Sequence, residues 1–228
     1  MNKWIERLVA AAAVLAIVLL GSPAKGVAAR GQAPQGPRTL TSSVPPRTAN
    51  RQVQPLTDGA RRGISLDARA GEGLAWWPDA VFGDCTIDVD LRGKDVQQQS
   101  FLGVAYHGVD DRTFDNVYFR PFNFRATDPV RQSHSVQYEA HPGFTWDKLR
   151  ADHPDQYERA IPSAPDPNGW FHARIVVAFP SLRVFVNGGA TPVMDLKQLS
   201  DRKTGWIGVW AGNNSDGQFA NLTVTPAK

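Results

Sequence analysis

The sequence predicts an all-β protein: a two-sheet antiparallel β-sandwich of the jelly-roll kind with one short helical insert. Three observations carry this. Ten short segments alternate apolar and polar residues between turn residues, near 62–67, 73–77, 84–91, 100–107, 114–121, 134–140, 171–179, 182–187, 205–211 and 218–225. One stretch, Trp146 to His153, has helical spacing and is closed off by Pro154. No internal repeat divides the chain, so the strands have to stack on one another to bury their apolar faces.

The chain opens with Lys3 and Arg7, an unbroken apolar run from Leu8 to Leu20 and the small residues Gly26 to Ala29, the pattern of a signal peptide over residues 1–29. The run is shorter than the ~20 residues of a comfortable membrane span, so an exported chain with no membrane span after cleavage is expected; an uncleaved anchor is the alternative. Residues 30–60 are rich in Pro, Gln, Thr, Ser and Arg without apolar periodicity, which predicts a disordered linker. Its Arg30, Arg38, Arg47 and Arg51 would be free for loose attachment to an anionic envelope. The folded domain is expected over 61–228. The formal charge of the chain is +3, yet from Arg61 onward 18 Lys and Arg face 20 Asp and Glu, a net −2. A clustered basic surface for nucleic acid is therefore not expected. Cys85 is the single cysteine and falls on the apolar side of its strand, as a buried small hydrophobe.

Strand geometry sorts the remaining side chains by face. In Gly205 to Ala211, residues Ile207, Val209 and Ala211 make a core face, while Trp206 and Trp210 flank Gly208 on the other. Trp210 is expected to be the exposed indole, because Gly212-Asn213-Asn214 follows it. In the strand around Asn116, Val117 and Phe119 face the core, and Asn116, Tyr118 and Arg120 face outward. Tyr118 supplies a flat ring for a sugar's C–H face, and Arg120 supplies planar donors for vicinal hydroxyls. Asn123 stands in the turn that follows. Val136 and Tyr138 point inward, which puts Ser135, Gln137 and Glu139 on the same side as Tyr118. Trp146 and Arg150, four apart on the helical insert, share one face and would wall one end of a groove. The expected ligand-binding set is thus Tyr118, Arg120, Asn123, Gln137, Trp146, Arg150 and Trp210.

From about Ile64 to Val224 the sequence resembles concanavalin A-like, laminin-G-like jelly rolls. Within that superfamily it is most similar to the 3-keto-disaccharide hydrolase domains. The residues that carry the resemblance are Phe101 to His107, Asn116 to Phe124, Ser135 to Tyr138, Leu149-Arg150, Tyr157-Glu158, Gly205 to Trp210 and Phe219 to Leu222. The resemblance implies a two-sheet sandwich and carbohydrate as the ligand class.

Glycoside hydrolysis by the usual route needs two carboxylates about 5.5 Å apart, or wider. Asp88 and Asp90 alternate on one strand face about 6.7 Å apart along the chain, and Asp115, Glu139 and His107 stand near the proposed groove. These five are the catalytic candidates. No H-E-x-x-H, paired C-x-x-C, P-loop or G-x-S-x-G motif occurs, and the five histidines lack zinc-site spacing. No cofactor is expected beyond a calcium ion at loop acids such as Asp110, Asp111 and Asp216. Three functions stay open: a carbohydrate-binding module, a glycoside hydrolase or 3-keto-glycoside-cleaving enzyme, and an envelope protein-protein interaction domain.

Overall fold

Among the described residues the alternation of apolar residues resolves into fifteen strands and three short helices. A computed structural model describes residues 36–41 and 45–227. The elements, in chain order, are β1 (Arg38–Thr39), β2 (Arg47–Ala49), β3 (Val53–Asp58), β4 (Arg61–Leu66), β5 (Gly73–Phe82), β6 (Cys85–Arg92), β7 (Leu102–Gly108) and β8 (Phe114–Phe119). There follow α1 (Pro121–Phe124), α2 (Pro129–Ser133), β9 (Val136–His141), α3 (Trp146–Asp152), β10 (Glu158–Arg159), β11 (Phe171–Ala178), β12 (Ser181–Val186), β13 (Met194–Lys197), β14 (Gly205–Ala211) and β15 (Gly217–Pro226). The back sheet runs β13-β12-β11-β6-β15-β4-β3, with β1 also paired to β15. The front sheet runs β10-β9-β8-β7-β14-β5-β2. All pairings are antiparallel. The expected sandwich is the observed one.

Burial periodicity tells the two sheets apart. Along β6, Cys85, Ile87, Val89 and Leu91 are buried, and the residues between them are partly exposed. That is the signature of a sheet with one face on the core and one toward water. Along β7, β8 and β9 every residue is buried. Val104, Val117, Val136, Ile207 and Val209 fill the space between the sheets against Ile87, Val89, Ile175 and Val184. A second apolar cluster covers the outer face of the front sheet: Leu74, Trp76, Ala105, Phe114, Tyr118 and Trp210. Burying each of these large side chains contributes about 1.5–3 kcal/mol. Their position makes the front sheet the base of a further layer of loops and helices.

Gly208 shows how that layer closes. A Cβ there would lie 2.5 Å from Cε3 of Trp76. The gap between Trp206 and Trp210 is therefore filled by the Trp76 indole, which also meets Trp206 edge-on at 6.0 Å and donates from Nε1 to Asp111 at 3.0 Å. Trp77, on the opposite face, joins the central core.

The disordered linker expected over 30–60 is corrected for its described part. Within it lie β1, β2 and β3, and Leu40 is fully buried in the central core. Backbone pairing along sheet edges needs few apolar side chains, so these strands leave little hydrophobic pattern. The arginines assigned to envelope attachment are engaged instead. Arg38 pairs with Asp79, Arg47 pairs with Asp111, and Arg51 is 4 % exposed with its guanidinium on the carbonyls of Gly71, Ala211 and Gly212. The signal peptide over 1–29 and Arg30 lie outside the described residues. Among the described residues no helix is long and apolar enough to cross a membrane. Cys85 is buried as expected, and burial pushes its thiol up to about 12.

Candidate functional site

The outer face of the front sheet holds a cavity of about 500 Å³. Its floor comes from neighbouring strands. β8 supplies Tyr118 and β14 supplies Trp210, with ring centroids 4.9 Å apart, and both are nearly fully buried. The two rings can sit this close because Gly103 lies between them on β7, opposite both (Gly103↔Tyr118, Trp210↔Gly103). A Cβ there would fall 2.2 Å from the Val117 carbonyl oxygen. Phe101 and Phe122 extend the apolar floor, edge to face at 5.2 Å. The walls are polar: Gln97 and Gln98 before β7, Asn123, Arg131 and His134 around α1 and α2, Trp146 and Arg150 on α3, and Asn213 and Asn214 after β14.

Helix α3 is held at both ends by carboxylates of the sheet. At its start, Glu139 Oε1 accepts the backbone N–H of Trp146 at 2.6 Å, the capping role that the side chain of Thr145 does not fill. Glu139 Oε2 stands 3.1 Å from His141 Nε2. Burial pulls the His141 imidazole down, but the hydrogen bond and charge of Glu139, with the charge of Glu72, outweigh it and hold the ring above its usual range. One turn further on, Arg150 donates from Nε and Nη2 to Glu158 at 3.0 and 2.8 Å. β10 pairs with β9 so that Glu158 lies opposite Gln137. Glu158 also accepts from Arg120 Nη1 at 3.0 Å, and His134 Nδ1 lies 2.6 Å away. Burial pushes the Glu158 carboxyl up, but the bonds from Arg150 and the charges of Arg120 and Arg150 hold it below the usual carboxylate range.

Six of the seven expected ligand-binding residues line the cavity: Tyr118, Arg120, Asn123, Trp146, Arg150 and Trp210. Gln137 does not. It is fully buried beneath, where its Oε1 accepts from Tyr118 Oη at 2.7 Å and from Arg120 Nη2. Arg120 is corrected in role. It is 4 % exposed, with Nη1 on the His134 carbonyl and Glu158 and Nη2 on Tyr118 and Gln137, so its donors hold the floor together rather than reach outward. Trp210 is corrected in exposure: at 3 % it is part of the floor, with Tyr118, Glu72 and Gly212 packed about its indole. The exposed ring is Trp146 at 48 %, with the Arg150 guanidinium 5.3 Å from its centroid.

Of the catalytic candidates only Glu139 lines the cavity. Asp88 and Asp90 are on β6, on the outer face of the back sheet. There His172 reaches both at 3.0 Å, while Arg174 binds Asp88 and Asn221 binds Asp90. Asp115 is sealed in the interior by Tyr138 Oη, Ser200 Oγ and Arg202 Nε at 2.6–2.9 Å. His107 is 1 % exposed, and burial lowers its pKa against the opposing charge of Asp115. Asp115 and His107 were expected near the groove; neither lines it, and the inward-facing register of Asp115 separates it from the groove.

Sequence reasoning missed Glu72, Phe101, Arg131 and His134. Arg131 and His134 lie in the connection between β8 and β9, a long loop over a rigid sheet like the one that pointed to Trp146. Glu72 is exposed at the cavity mouth as a residue, yet protein crowds its carboxylate, which accepts from Trp210 Nε1 at 3.3 Å. That burial raises its pKa, with the charge of Glu139 adding to it and His141 opposing.

Among the described residues no three His, Cys, Asp or Glu side chains group to hold a metal ion. Asp110 caps the turn at Arg112, Asp111 binds Arg47 and Trp76, and Asp216 pairs with Lys94, so these acids do not converge.

No family model and no curated protein sequence matches the chain. Solved structures do. The carbohydrate-binding module CBM66 from Bacillus subtilis is similar at TM-score 0.58 and 13% identity, over 82% of this chain and 99% of that one. A protein of unknown function with a galectin-like fold, also from Bacillus subtilis, gives 0.53 and 12%, over 78% and 88%. The exoplasmic/lumenal domain of VIP36, in a Ca2+/Man-bound form, gives 0.51 and 11%, over 77% and 81%. At these identities the likeness is one of fold, and the chain is a two-sheet sandwich of the galectin-like, concanavalin A-like kind.

Proposed function

We propose that this domain binds a saccharide in the front-sheet cavity. The observation that carries the reading is the combination of an aromatic floor, Tyr118 beside Trp210, with a wall of side-chain amides and guanidinium groups. Sugars present apolar C–H faces and a ring of hydroxyls, and a concave site with rings below and planar polar groups around matches both. Trp146 covers the bound ring from the side. The likeness to a carbohydrate-binding module and to a mannose-bound lumenal domain supports the ligand class. The leader pattern supports export, which N-terminal sequencing of the mature protein tests. Titration of the protein with plant, algal and bacterial glycans, followed by tryptophan fluorescence, tests binding. Saturable quenching with one class, lost in Trp146→Ala, is the expected result; no response to any glycan refutes the reading.

A second reading is an enzyme on the same scaffold, of the glycoside-hydrolase or 3-keto-glycoside-cleaving kind that the sequence resembles. Glu72 favours it: a carboxyl at the cavity mouth whose proton is held more firmly than usual suits a general acid. Glu139, its neighbour, is committed to Trp146 and His141. Turnover of aryl glycosides or 3-keto-glucosides that disappears in Glu72→Gln supports this reading; binding without turnover rejects it.

A further inference from the structure

We infer that the saccharide bound in this cavity carries an anionic substituent, a carboxylate or a sulfate or phosphate ester, seated against Arg131 and Arg150. This rests on the saccharide reading above and adds the charge of the ligand to it.

Arg120, Arg131 and Arg150 all line the cavity. Short bonds connect them. Arg120 and Arg150 both donate to Glu158 Oε1, and Arg120 and Asn123 both donate to the His134 carbonyl. Arg131 Nε donates to Asn123 Oδ1 at 3.3 Å and its Nη2 to the Phe122 carbonyl at 2.9 Å. Among the described residues Glu158 is the one carboxylate bonded to this group, and none pairs with Arg131. Within this bonded cluster three fixed positive charges therefore face one carboxylate, while Glu72 and Glu139, which also line the cavity, bond to Trp210 and to Trp146 and His141 instead. Arginine stays ionised at any working pH, so the imbalance is permanent.

The donors that remain point to where the anion sits. Arg120 is spent on the floor. Arg150 has used Nε and Nη2 on Glu158, and Arg131 has used Nε and Nη2 on Asn123 and Phe122. Each keeps Nη1, one from α3 and one from α2. A hydroxyl satisfies a donor but leaves the excess charge uncompensated; an anion does both, through charge-assisted bonds. The acids Glu139 and Glu72 fix the orientation. Glu139 on β9 bonds the start of α3 and Arg150 lies one turn along that helix, so a negative substituent is drawn to the arginine end and away from the carboxylates.

The test is calorimetric titration with oligogalacturonate, oligomannuronate and oligoglucuronate, each beside its methyl ester, together with sulfated, phosphorylated and unmodified neutral oligosaccharides. The expected result is that one acid form binds about tenfold or more tightly than its ester. Its affinity should fall with added salt, and Arg131→Gln should remove the difference while binding of the ester is retained. Preference for a sulfated or phosphorylated form instead assigns the anion to an ester and equally supports the inference. Acid and ester binding alike, or neutral glycans alone binding, overturns it and leaves the saccharide reading in place. No binding by any probe overturns both. Discrimination that persists in Arg131→Gln places the anion elsewhere and also overturns it; should that variant fail to fold, the acid-ester comparison and the salt dependence of the unaltered protein decide.

Discussion

Glu139 on β9 and Trp146 at the start of α3 are joined by a 2.6 Å hydrogen bond from backbone N–H to carboxylate. A strand residue of the front sheet thereby sets the position of the ring that walls the cavity. The second oxygen of the same carboxylate faces His141, and the turn after Trp146 is tied through Arg150 to Glu158. The sheet thus grips α3 at two places, and the cavity is as well defined as these two carboxylates.

Replacing Glu139 with Ala leaves the Trp146 N–H and the buried His141 without their partner. A lost bond to a charged group and the desolvated groups left behind cost about 2–3 kcal/mol. Urea unfolding should register that loss, and hydrogen exchange should show faster amide exchange in α3 than in the sheet.

Glu158→Gln removes the counter-charge of Arg120, which is 4 % exposed. Breaking a buried pair on one side costs about 3–5 kcal/mol. A denaturation midpoint close to that of the unaltered protein would show that Arg120 finds another anion.

His141 and Glu158 shape the pH range of stability. The folded-state pKa of His141 is raised above its ordinary value of 6.5, so its contribution is complete below pH 6.5 and is lost as pH rises through the folded value. That of Glu158 is lowered below 4.5, so its contribution is complete above pH 4.5 and is lost as pH falls through the folded value. Melting temperatures scanned against pH should form a plateau between these limits. His141→Asn should flatten the alkaline limb and leave the acid limb unchanged.

Gly208→Ala puts a methyl group against the Trp76 indole. Overpacking of this kind costs about 1–3 kcal/mol. The near-ultraviolet circular dichroism of the tryptophans should change with it, because Trp76 has to move relative to Trp206.

Much of the sandwich was legible because period-two alternation reports directly on a core with one wet face. β6, with Cys85, Ile87, Val89 and Leu91 inward, is the clearest case. The edge strands β1, β2 and β3 were not legible, since pairing there runs through backbone groups and few apolar side chains such as Leu40 and Val53. At the site, strand and helix periodicity put Tyr118, Trp210, Trp146 and Arg150 on one side and the turn after β8 adds Asn123, and all five line the cavity. Depth was a different matter. Trp210 looked open and is covered, and Arg120 looked like a ligand donor and is a floor brace, because the layer above the front sheet comes from loops whose path no local pattern encodes. Asp88 and Asp90 were read on the correct strand face, but that face belongs to the other sheet. Only the order of strands reveals this.

The most direct measurement is an NMR titration of the labelled protein with the glycan that quenches its tryptophans. A saccharide site on the front sheet predicts that the shifted signals cluster on Tyr118, Trp146, Trp210 and Asn213, with the Trp146 indole moving furthest. Shifts confined to the outer face of the back sheet, around Asp88 and His172, would contradict it.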